Sequence, residues 1–493
     1  SSSSSQPSEA AEQAQFPISK EPIKLNIFAG QTATTNPNWN DVKLFNEYEK
    51  MTNIDIEWQM VPWAALTEKR NLTLASGDYP DAFHTARLTS QDLTMYGAQG
   101  VFVPLNDLIE QHAPNFKKLL DQYPDVRKGL TMPDGNIYSF PTFYDPEFPS
   151  VVIGAKMWLK KTWLDQLGLA EPQTTEEFYN YLKAVKNTDL NGNGQADEIP
   201  YAGRGVGPLI DYLKGAWGLG NRGTTNPFID LDPDTGKVRF MPTQPEFKEM
   251  LEYIHKLYSE KLLNQDIFTV SSSEYYAQGS TGVFGSSLVT SMSTTMDQND
   301  YIGSPVLAGP HGDRIHSYTK SPLVHVGSFA ITSKNPYPVE TVKWIDYFYG
   351  DEGIKMFFMG FEGDTYEEKA DGSVAYTDKI LKDPDGSTFE QAVAKYLTWP
   401  GGSYPSIVSS KYFQGAESLP ESIEATDKVV PYLPEEVWPV FNLTAEESEQ
   451  MATLLGDIKA YEEEMEAKFI MGSLPFTEWD SYVERYNKIG LEK

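Results

Sequence analysis

Apolar and polar positions alternate along the first hundred residues in a pattern that predicts strands and helices in turn. Period-two alternation predicts strands at residues 23–28, 54–58 and 81–84, and helical spacing of apolar residues predicts helices at about 39–51 and 66–75. Strands that alternate with helices at this spacing are typical of an α/β lobe with a doubly wound, mainly parallel sheet.

Two loops lie where such a sheet would bind a ligand. Ligands of open α/β sheets bind beyond the carboxyl ends of the strands. The loops at residues 31–39 and 85–89 follow the first and third predicted strands, so we expect them at that edge.

Helical spacing dominates the chain beyond the turn signal Asp134-Gly135. Thr174, with Glu177 three residues later, is typical of a capping box at a helix start. Apolar residues at residues 451–469 predict a long amphipathic helix, and because they cover under three heptads, core packing explains them better than a coiled coil. No internal repeat is visible.

Composition indicates a folded chain and excludes several kinds of chemistry. The 493 residues suggest two large domains or about three smaller ones, and 40% of the residues are hydrophobic. The absence of cysteine excludes disulfides, thiolate nucleophiles and cysteine-bound metals. A formal net charge of −30 disfavours nucleic acid and anionic lipid as partners. No apolar run approaches the roughly 20 residues that a membrane-spanning helix needs.

The first residues of the chain predict a flexible tether. Five serines begin a Ser/Gln/Glu/Ala-rich stretch that reaches Gln15, and we expect residues 1–20 to be a linker. The stretch fits a mature lipoprotein cut just after its lipidated cysteine, and it fits equally a chain end without functional meaning.

A short acidic loop has the spacing of a calcium site. Oxygen-bearing side chains occupy loop positions 1, 3, 5, 9 and 10, with glycine at position 6, where calcium loops turn sharply. Ca²⁺ binds 6 to 8 oxygens at about 2.4 Å. We expect side-chain ligation by five residues, with a sixth giving its backbone carbonyl: Asp189, Asn191, Asn193, Asp197 and Glu198, and Gln195.

The loop departs from the EF-hand pattern at one position. Pro200 stands at position 12, where a glutamate usually binds the ion, so Glu198 would take the bidentate role in a shortened loop. The alternative is an Asx-rich turn without metal, because Asn, Asp and Gly are common turn formers. A lone shortened loop in a large chain favours a structural ion over a sensor.

Several segments together resemble the family 1 extracellular solute-binding proteins of bacterial ABC importers, especially the large lipoprotein-type members that bind oligosaccharides. Their order and spacing cover nearly all of residues 21–493. The matching segments are Leu74-Ala75-Ser76-Gly77-Asp78-Tyr79-Pro80-Asp81, Val103-Pro104-Leu105, Asp134 to Pro141, Lys160 to Leu169, Gly327 to Thr332 and Phe476 to Asp480. Members that bind alginate and glycosaminoglycan fragments carry a similar calcium loop at the same place.

This resemblance implies a two-lobed α/β fold of the periplasmic-binding-protein type, each lobe a mainly parallel sheet flanked by helices. The chain would cross between lobes at hinges near residues 141, 321 and 400. The expected N-terminal lobe is 21–141 plus 321–400, and the expected C-terminal lobe is 142–320 plus 401–493, with the calcium loop at 189–200.

The same resemblance implies the partners and the location. We expect an oligosaccharide ligand, the membrane permease subunits of an ABC importer, no nucleic acid, and a monomer. The location would be extracytoplasmic, either as a cell-surface lipoprotein held by a lipid anchor or in a periplasm.

Aromatic side chains in loops are the first candidates for sugar contacts. Pyranose rings stack on flat aromatic faces while polar groups fix their hydroxyls. We select Trp39 after the first loop, Tyr144 beyond the first hinge, Trp217 beside Gly218, and Trp399 before Pro400-Gly401-Gly402. Core or interface packing is the alternative for each of them.

Five polar residues complete the candidate sugar site. His84 and Arg87 follow the third predicted strand, where distant maltose-type relatives place sugar-binding polar groups. Arg204, between two glycines, could clamp a carboxylate, although a surface or structural role is the alternative. Glu362 and Asp364 could accept hydrogen bonds from sugar hydroxyls.

Two other classes of function compete with a binding protein. A calcium-containing glycoside hydrolase or polysaccharide lyase would need a nominated pair of carboxyl groups, and 70 Asp plus Glu make chance pairs unavoidable. No HExxH, GxSxG, GxxxxGK[ST] or GxGxxG motif is present, and the six histidines show no zinc spacing. A calcium-binding adhesin would be rich in β-structure, which the strand–helix alternation disfavours. We therefore predict a solute-binding protein and no enzyme.

Overall fold

The strands begin with three long parallel segments that are separated by helices, as the hydrophobic pattern predicts. The strands are β1 (Ile23–Gln31), β2 (Ile54–Pro62), β3 (Ala82–Leu88), β4 (Phe140–Tyr144), β5 (Lys156–Lys160), β6 (Ile229–Leu231), β7 (Val238–Phe240), β8 (Ser286–Val289), β9 (Tyr301–Gly303), β10 (Leu323–Ile331), β11 (Tyr366–Glu368), β12 (Val374–Tyr376) and β13 (Ser406–Val408). The first three strands are three to four residues longer than their predicted lengths, so their carboxyl ends lie further along the chain.

Helices connect the strands, and the longest of them lie in the second half of the chain. They are α1 (Lys43–Thr52), α2 (Leu66–Ser76), α3 (Ser90–Ala98), α4 (Asn106–His112), α5 (Pro114–Gln122), α6 (Pro124–Leu130), α7 (Pro149–Ile153), α8 (Lys161–Leu167), α9 (Thr175–Lys186), α10 (Gly207–Leu213), α11 (Pro245–Ser259), α12 (Ser272–Gly279), α13 (Met292–Met296), α14 (Pro338–Asp346), α15 (Asp351–Met359), α16 (Asp378–Leu381), α17 (Phe389–Ala394), α18 (Pro420–Val429), α19 (Ala445–Met471) and α20 (Trp479–Ile489). The predicted start of α9 is confirmed, because the Thr174 hydroxyl accepts a hydrogen bond of 3.0 Å from the backbone N–H of Glu177.

The computed structural model describes residues 15–493, which divide into two units. Unit 1 contains the described residues up to Phe143, Leu323–Phe413 and Asn442–Ala445, and unit 2 contains Tyr144–Pro322, Gln414–Phe441 and Glu446–Lys493. Residues 401–413, which we expected in the second lobe, belong to unit 1. The reason is that β13 is an edge strand of the unit 1 sheet. In addition, the backbone carbonyl oxygen of Tyr404 accepts a hydrogen bond of 2.6 Å from the Thr142 hydroxyl.

Unit 1 is built on a six-stranded sheet in the order β13-β4-β10-β3-β1-β2. β1 pairs in parallel with both β2 and β3, whereas β10 runs antiparallel to β3 and β4. The α/β class is confirmed, but the sheet is mixed where we predicted a mainly parallel one. The hydrophobic pattern of β10 predicts its burial but not its direction, which depends on how the chain enters unit 1.

Aromatic side chains fill the core of unit 1 between the sheet and its helices. Tyr48 of α1 is fully buried and its hydroxyl donates to the Trp344 carbonyl oxygen of α14 at 2.7 Å. Trp58 of β2 packs edge-on against His84 of β3, with ring centres 5.3 Å apart. The parallel pairing of β1 with both β2 and β3 places the carboxyl ends of these three strands at one edge of the sheet.

Unit 2 has a small sheet and a large helical core. β5 lies between β8 and β9, and both pairings are antiparallel, whereas the predicted lobe had a mainly parallel sheet. Isolated parallel bridges at Ile199–Phe284 and Ala202–Ser287 add a further segment beside β8. Apolar faces of α9, α11 and α20 supply the core, including Phe178, Leu251 and Tyr482.

The predicted long helix near the end of the chain is α19, but only its second half is buried. Ile458 and Phe469 lie in the unit 2 core, whereas Met451 and Leu455 are 43% and 41% exposed. Core packing therefore explains the later part of the apolar pattern, and the earlier part faces solvent.

The last residues of the predicted tether at 1–20 are packed on unit 1. Residues 1–14 lie outside the described part of the chain. Phe16 packs edge-on against Tyr347 with ring centres 5.2 Å apart, and the backbone N–H of Ile18 donates to the Thr52 carbonyl oxygen at 3.2 Å. Residues 16–20 are therefore part of unit 1.

Candidate functional site

The predicted calcium loop directly follows α9 in unit 2. Gly192 and Gly194 adopt φ values of 69° and 75°, which favour glycine and turn the chain sharply. The Asp189 carboxylate accepts a hydrogen bond of 2.8 Å from the backbone N–H of Gly194. Glu198 is 5% exposed, and its carboxylate accepts the N–H of Leu190 at 2.8 Å. These contacts close the loop on itself.

The middle of the loop brings oxygen-bearing side chains together. Asp197 accepts hydrogen bonds from the amides of Asn191 at 2.8 Å and Asn193 at 2.7 Å. These hydrogen bonds lower the pKa of Asp197. Rotation of either Asn side-chain amide by 180° exchanges its nitrogen and oxygen, so that an amide oxygen then points towards the Asp197 carboxylate. Asp189, the two amides, Asp197 and Glu198 thus offer the oxygen set that a hard cation such as Ca²⁺ takes.

Two features separate this loop from a complete EF-hand. The segment that follows it bridges to Phe284 in parallel instead of forming a second helix. Across residues 15–493, no cluster of three or more His, Cys, Asp or Glu side chains has metal-binding geometry. Carboxylates alone do not form the site, so an ion would need the Asn amides and backbone oxygens as well.

Three of the four aromatic candidates are buried within their units. Trp39 and Trp399 of unit 1 are 2% and 4% exposed, and Trp217 of unit 2 is 3% exposed. The Trp399 indole N–H donates to the Phe358 carbonyl oxygen at 3.1 Å, and Trp39 packs edge-on against Trp58. Burial supports the packing alternative for all three, and these contacts support it further for Trp39 and Trp399.

Tyr144, the fourth aromatic candidate, is half-buried at the first residue of unit 2. Its backbone N–H donates to the Pro322 carbonyl oxygen at 2.8 Å. The Lys320 ammonium lies 5.3 Å from the centre of its ring. Tyr144 and Lys320 thus stand beside two of the places where the chain changes units.

His84, the first polar candidate, is buried in unit 1. Its Nδ1 lies 2.8 Å from the Thr85 hydroxyl, and its ring packs edge-on against Trp39 and Phe329. Burial lowers the pKa of His84 to about 3, so its ring is neutral at physiological pH.

Of the three further polar candidates, Arg204 belongs to unit 2, whereas Glu362 and Asp364 lie two residues apart in unit 1. Arg204 is exposed and donates to the Ser272 hydroxyl. Glu362 is exposed on unit 1. Asp364 already pairs with the ammonium groups of Lys43 and Lys379, and these two contacts lower its pKa. The Asp364 carboxylate is therefore engaged within unit 1.

Arg87 lies beside a tryptophan that the sequence analysis missed. The Arg87 guanidinium is 4.4 Å from the ring centre of Trp63, and its Nε donates to the Ser403 hydroxyl at 2.9 Å. Trp63 is half-buried and directly follows β2. The available signal was the alternation Ile54, Ile56, Trp58 and Met60, which continues past the predicted strand end and would have placed Trp63 at the ligand edge.

Comparison with known proteins identifies the family. Residues 43–365 match the model for bacterial extracellular solute-binding proteins. The chain belongs to that family.

Two relatives of this solute-binding protein resemble it over more than four-fifths of their own length. The fructooligosaccharide ABC transporter substrate-binding protein FusA of Streptococcus pneumoniae is 30% identical, covering 97% of this chain and 89% of FusA. The structure of FusA with kestose superposes with a TM-score of 0.77, covering 95% of this chain and 96% of FusA. The lipoprotein LipO of Bacillus subtilis is 25% identical, covering 90% of this chain and 85% of LipO.

Two solved relatives bear on the calcium loop. The alginate-binding protein AlgQ2, solved without calcium ion, has a TM-score of 0.73 at 26% identity and covers 96% of each chain. FusA has also been solved as an EF-hand mutant in complex with fructo-nystose, with a TM-score of 0.76, 28% identity and coverage of 95% of this chain and 96% of that one. Over residues 15–493, none of the helices is both long and apolar enough to cross a membrane.

Proposed function

We propose that this protein captures an oligosaccharide between two lobes and delivers it to the membrane subunits of an ABC importer. The observation that carries the proposal is the match to FusA with kestose, which extends over more than nine-tenths of both chains. The family match over residues 43–365 and the division into two units, each with its own core, support the same function.

Capture by closure needs no chemical step. The two lobes exchange between open and closed arrangements, and a sugar that contacts both lobes shifts the population to the closed one. The cargo is released unchanged, so the protein acts as a binding protein and not as an enzyme. Its role is to present the closed form to the importer.

We propose sugar contact for the three exposed members of the predicted set and for the half-buried Tyr144: Arg87, Arg204, Glu362 and Tyr144. For Trp39, His84, Trp217 and Trp399 we propose a packing role, which their burial supports. Asp364 is a positioning residue for the Lys43 and Lys379 side chains.

We propose a structural Ca²⁺ in the loop between Asp189 and Glu198. The ion would be held by Asp189, Asn191, Asn193, Asp197 and Glu198, with the backbone carbonyl of Gln195. Its effect would be to fix the end of α9 to the segment that continues at Ile199. The relatives solved with an altered EF-hand or without calcium support this assignment.

We further propose that the protein works outside the cytoplasm as a monomer, tethered to a membrane through a lipidated N-terminus. The family of extracellular solute-binding proteins and the lipoprotein LipO support the location and the anchor. The anchor would hold the lobes close to the importer and raise their local concentration.

The test is thermal unfolding with calcium present, against a panel of neutral and uronate-containing oligosaccharides. A ligand at 100 times its dissociation constant adds about 2.7 kcal/mol to the free energy of unfolding and raises the midpoint. Chromatography of the same samples should recover intact sugar. Cleaved sugar would favour a hydrolase or lyase instead, and no shift with any sugar would overturn the carbohydrate assignment.

A further inference from the structure

The carboxyl ends of β1, β2 and β3 bring three distant residues of unit 1 together. Trp63 follows β2, Arg87 is the penultimate residue of β3, and Ser403 lies in the loop before β13. Ligands of open α/β sheets bind beyond this edge. These three residues, here called the Trp63 platform, therefore stand where the fold favours a ligand.

The Trp63 platform holds a guanidinium over an aromatic ring. The Arg87 guanidinium carbon lies 4.4 Å from the centre of the Trp63 ring, and Nε donates to Ser403 Oγ at 2.9 Å. Arg87 is exposed, whereas Ser403 is 3% exposed. The ring contact and the Nε hydrogen bond together restrict the guanidinium, whose planar group carries its N–H donors in a rigid fork.

Backbone strain concentrates at this platform. Six non-glycine residues between 15 and 493 have positive φ, and three of them are Thr85 at 54°, Arg87 at 51° and Ser403 at 64°. Side chains with a Cβ adopt this region at a cost in free energy, and such strain persists only where surrounding contacts hold it. Clusters of strained residues are typical of ligand sites.

Buried contacts behind the platform hold the strained backbone. Arg70 is 7% exposed, and its Nη1 donates to the carbonyl oxygens of Ala86 at 3.0 Å and Arg87 at 2.7 Å. A Cβ added to Gly30 would lie 2.1 Å from the Thr85 carbonyl oxygen, so only glycine lets β1 approach β3 this closely. The platform is therefore formed before any ligand arrives.

We propose that the Trp63 platform determines sugar specificity by binding two adjacent oxygen atoms of one sugar ring. Arg87 would donate two parallel hydrogen bonds to these oxygens, and the exposed part of Trp63 would contact the ring's C–H surface. Ser403 is a positioning residue that fixes the guanidinium through Nε. The oxygens belong either to neighbouring hydroxyls of a neutral sugar or to the carboxylate of a uronate. This inference rests on the proposed oligosaccharide function.

The experiment measures the binding of kestose and of an oligogalacturonate by titration calorimetry. Trp63→Ala and Arg87→Lys should each lower the affinity for the sugar that the wild-type protein binds by at least about tenfold. Alanine removes the ring, and lysine keeps the charge but loses the planar fork. Loss of kestose binding assigns neighbouring hydroxyls, and loss of oligogalacturonate binding assigns a carboxylate. Both losses support the platform.

Ser403→Gly separates positioning from folding. Glycine relieves the strain at φ 64° while removing the hydroxyl, so the melting temperature should hold or rise while affinity falls by at least about threefold. Arg314→Lys is the matched control, since Arg314 lies 4.2 Å from the Tyr432 ring centre and its Nε donates at 2.9 Å to the Val306 carbonyl oxygen. This control should stay within twofold of wild type.

Two outcomes would overturn the platform and are distinguishable. If the wild-type protein binds a sugar and Trp63→Ala, Arg87→Lys and Ser403→Gly all bind it within twofold, the platform is wrong and the proposed function stands. If the wild-type protein binds neither these two sugars nor any other of the panel, the proposed function fails and the platform fails with it.

Discussion

The side-chain oxygen of Asn442 accepts a hydrogen bond of 2.6 Å from the Ser90 hydroxyl, across 352 residues of sequence. The amide nitrogen of Asn442 donates to the carbonyl oxygens of Gly129 at 2.8 Å and Thr131 at 3.0 Å. Asn442 begins the four-residue segment with which the chain returns briefly to unit 1 before α19. One side chain therefore fixes that segment to the ends of α3 and α6.

Asn442→Ala should lower the free energy of unfolding by about 2–3 kcal/mol, because a typical hydrogen bond contributes roughly 0.5–1.5 kcal/mol and three are lost. Urea denaturation measures the change. Asn226→Ala is the matched control, since its half-buried amide makes one such bond, to the Pro439 carbonyl oxygen at 2.9 Å. Equal losses for the two variants would show that Asn442 does not anchor the segment.

The stability of unit 1 should depend on pH through His84. Its pKa is lowered to about 3 by burial, whereas an unfolded histidine has a pKa of about 6.5. Between these two pKa values the His84 ring is protonated in the unfolded state and neutral in the folded state. The free energy of unfolding falls by about 1.4 kcal/mol for each pH unit between about 6.5 and 3, and the contribution is fully present above pH 6.5.

The measurement compares wild type with His84→Leu by urea denaturation from pH 7.5 to 4.5. The variant should lose the part of the pH dependence that His84 causes, so the difference in free energy of unfolding between wild type and variant should change as pH falls. This difference is measured because other groups also titrate. Burial raises the pKa of Asp346 and Glu462 to about 7, which favours the folded state at low pH in both proteins. His311→Gln serves as an exposed control, because contact with Glu249 raises the pKa of His311 and gives the opposite sign. Parallel curves for wild type and His84→Leu would contradict the prediction.

Calcium should raise the melting temperature of unit 2. At 100 times its dissociation constant, one bound ion adds about 2.7 kcal/mol to the free energy of unfolding. Asp189→Ala should remove the calcium-dependent shift, because it deletes a ligand oxygen and the hydrogen bond from Gly194. Differential scanning calorimetry with calcium or chelator checks this.

Asp232→Asn provides a control in the same unit. Asp232 accepts the backbone N–H groups of Asp234 and Thr235 in an acidic turn that contains Gly236, so it resembles the calcium loop without its amide ligands. The calcium shift should remain in this variant. A chelator that leaves the wild-type melting temperature unchanged would assign the 189–198 loop as a metal-free Asx turn.

The local pattern along the chain predicted where strands and helices begin better than where strands end. The predicted start of β2 at Ile54 is confirmed, but the strand continues to Pro62. The alternation continues through Gln59 and Met60 and breaks only at Val61, whereas the backbone pairing with β1 persists to Gln31–Pro62. Pairing with a neighbouring strand, which a single segment does not encode, sets the end and therefore brings Trp63 to the ligand edge.

Choice among the tryptophans also needed the tertiary structure. Trp217 lies in a glycine-bounded segment that suggests an open ring face, yet helix α11 covers it, and its ring centre is 5.3 Å from that of Tyr253. Trp63 stands in a segment without glycines and was not selected. Exposure depends on which distant helix packs on a loop, and local composition does not report this.

The sequence by itself determined the α/β class, the helix before the calcium loop and the oxygen-rich loop, because each depends on residues that are close in the chain. It also determined the family, because the order of short motifs along the chain can be seen without the fold. Only the tertiary structure decided the strand directions, the assignment of residues 401–413 and 442–445 to unit 1, and the meeting of Trp63, Arg87 and Ser403. Those features depend on contacts between segments up to several hundred residues apart, and the physical reason is that burial and strand pairing are properties of the packed unit rather than of any single segment.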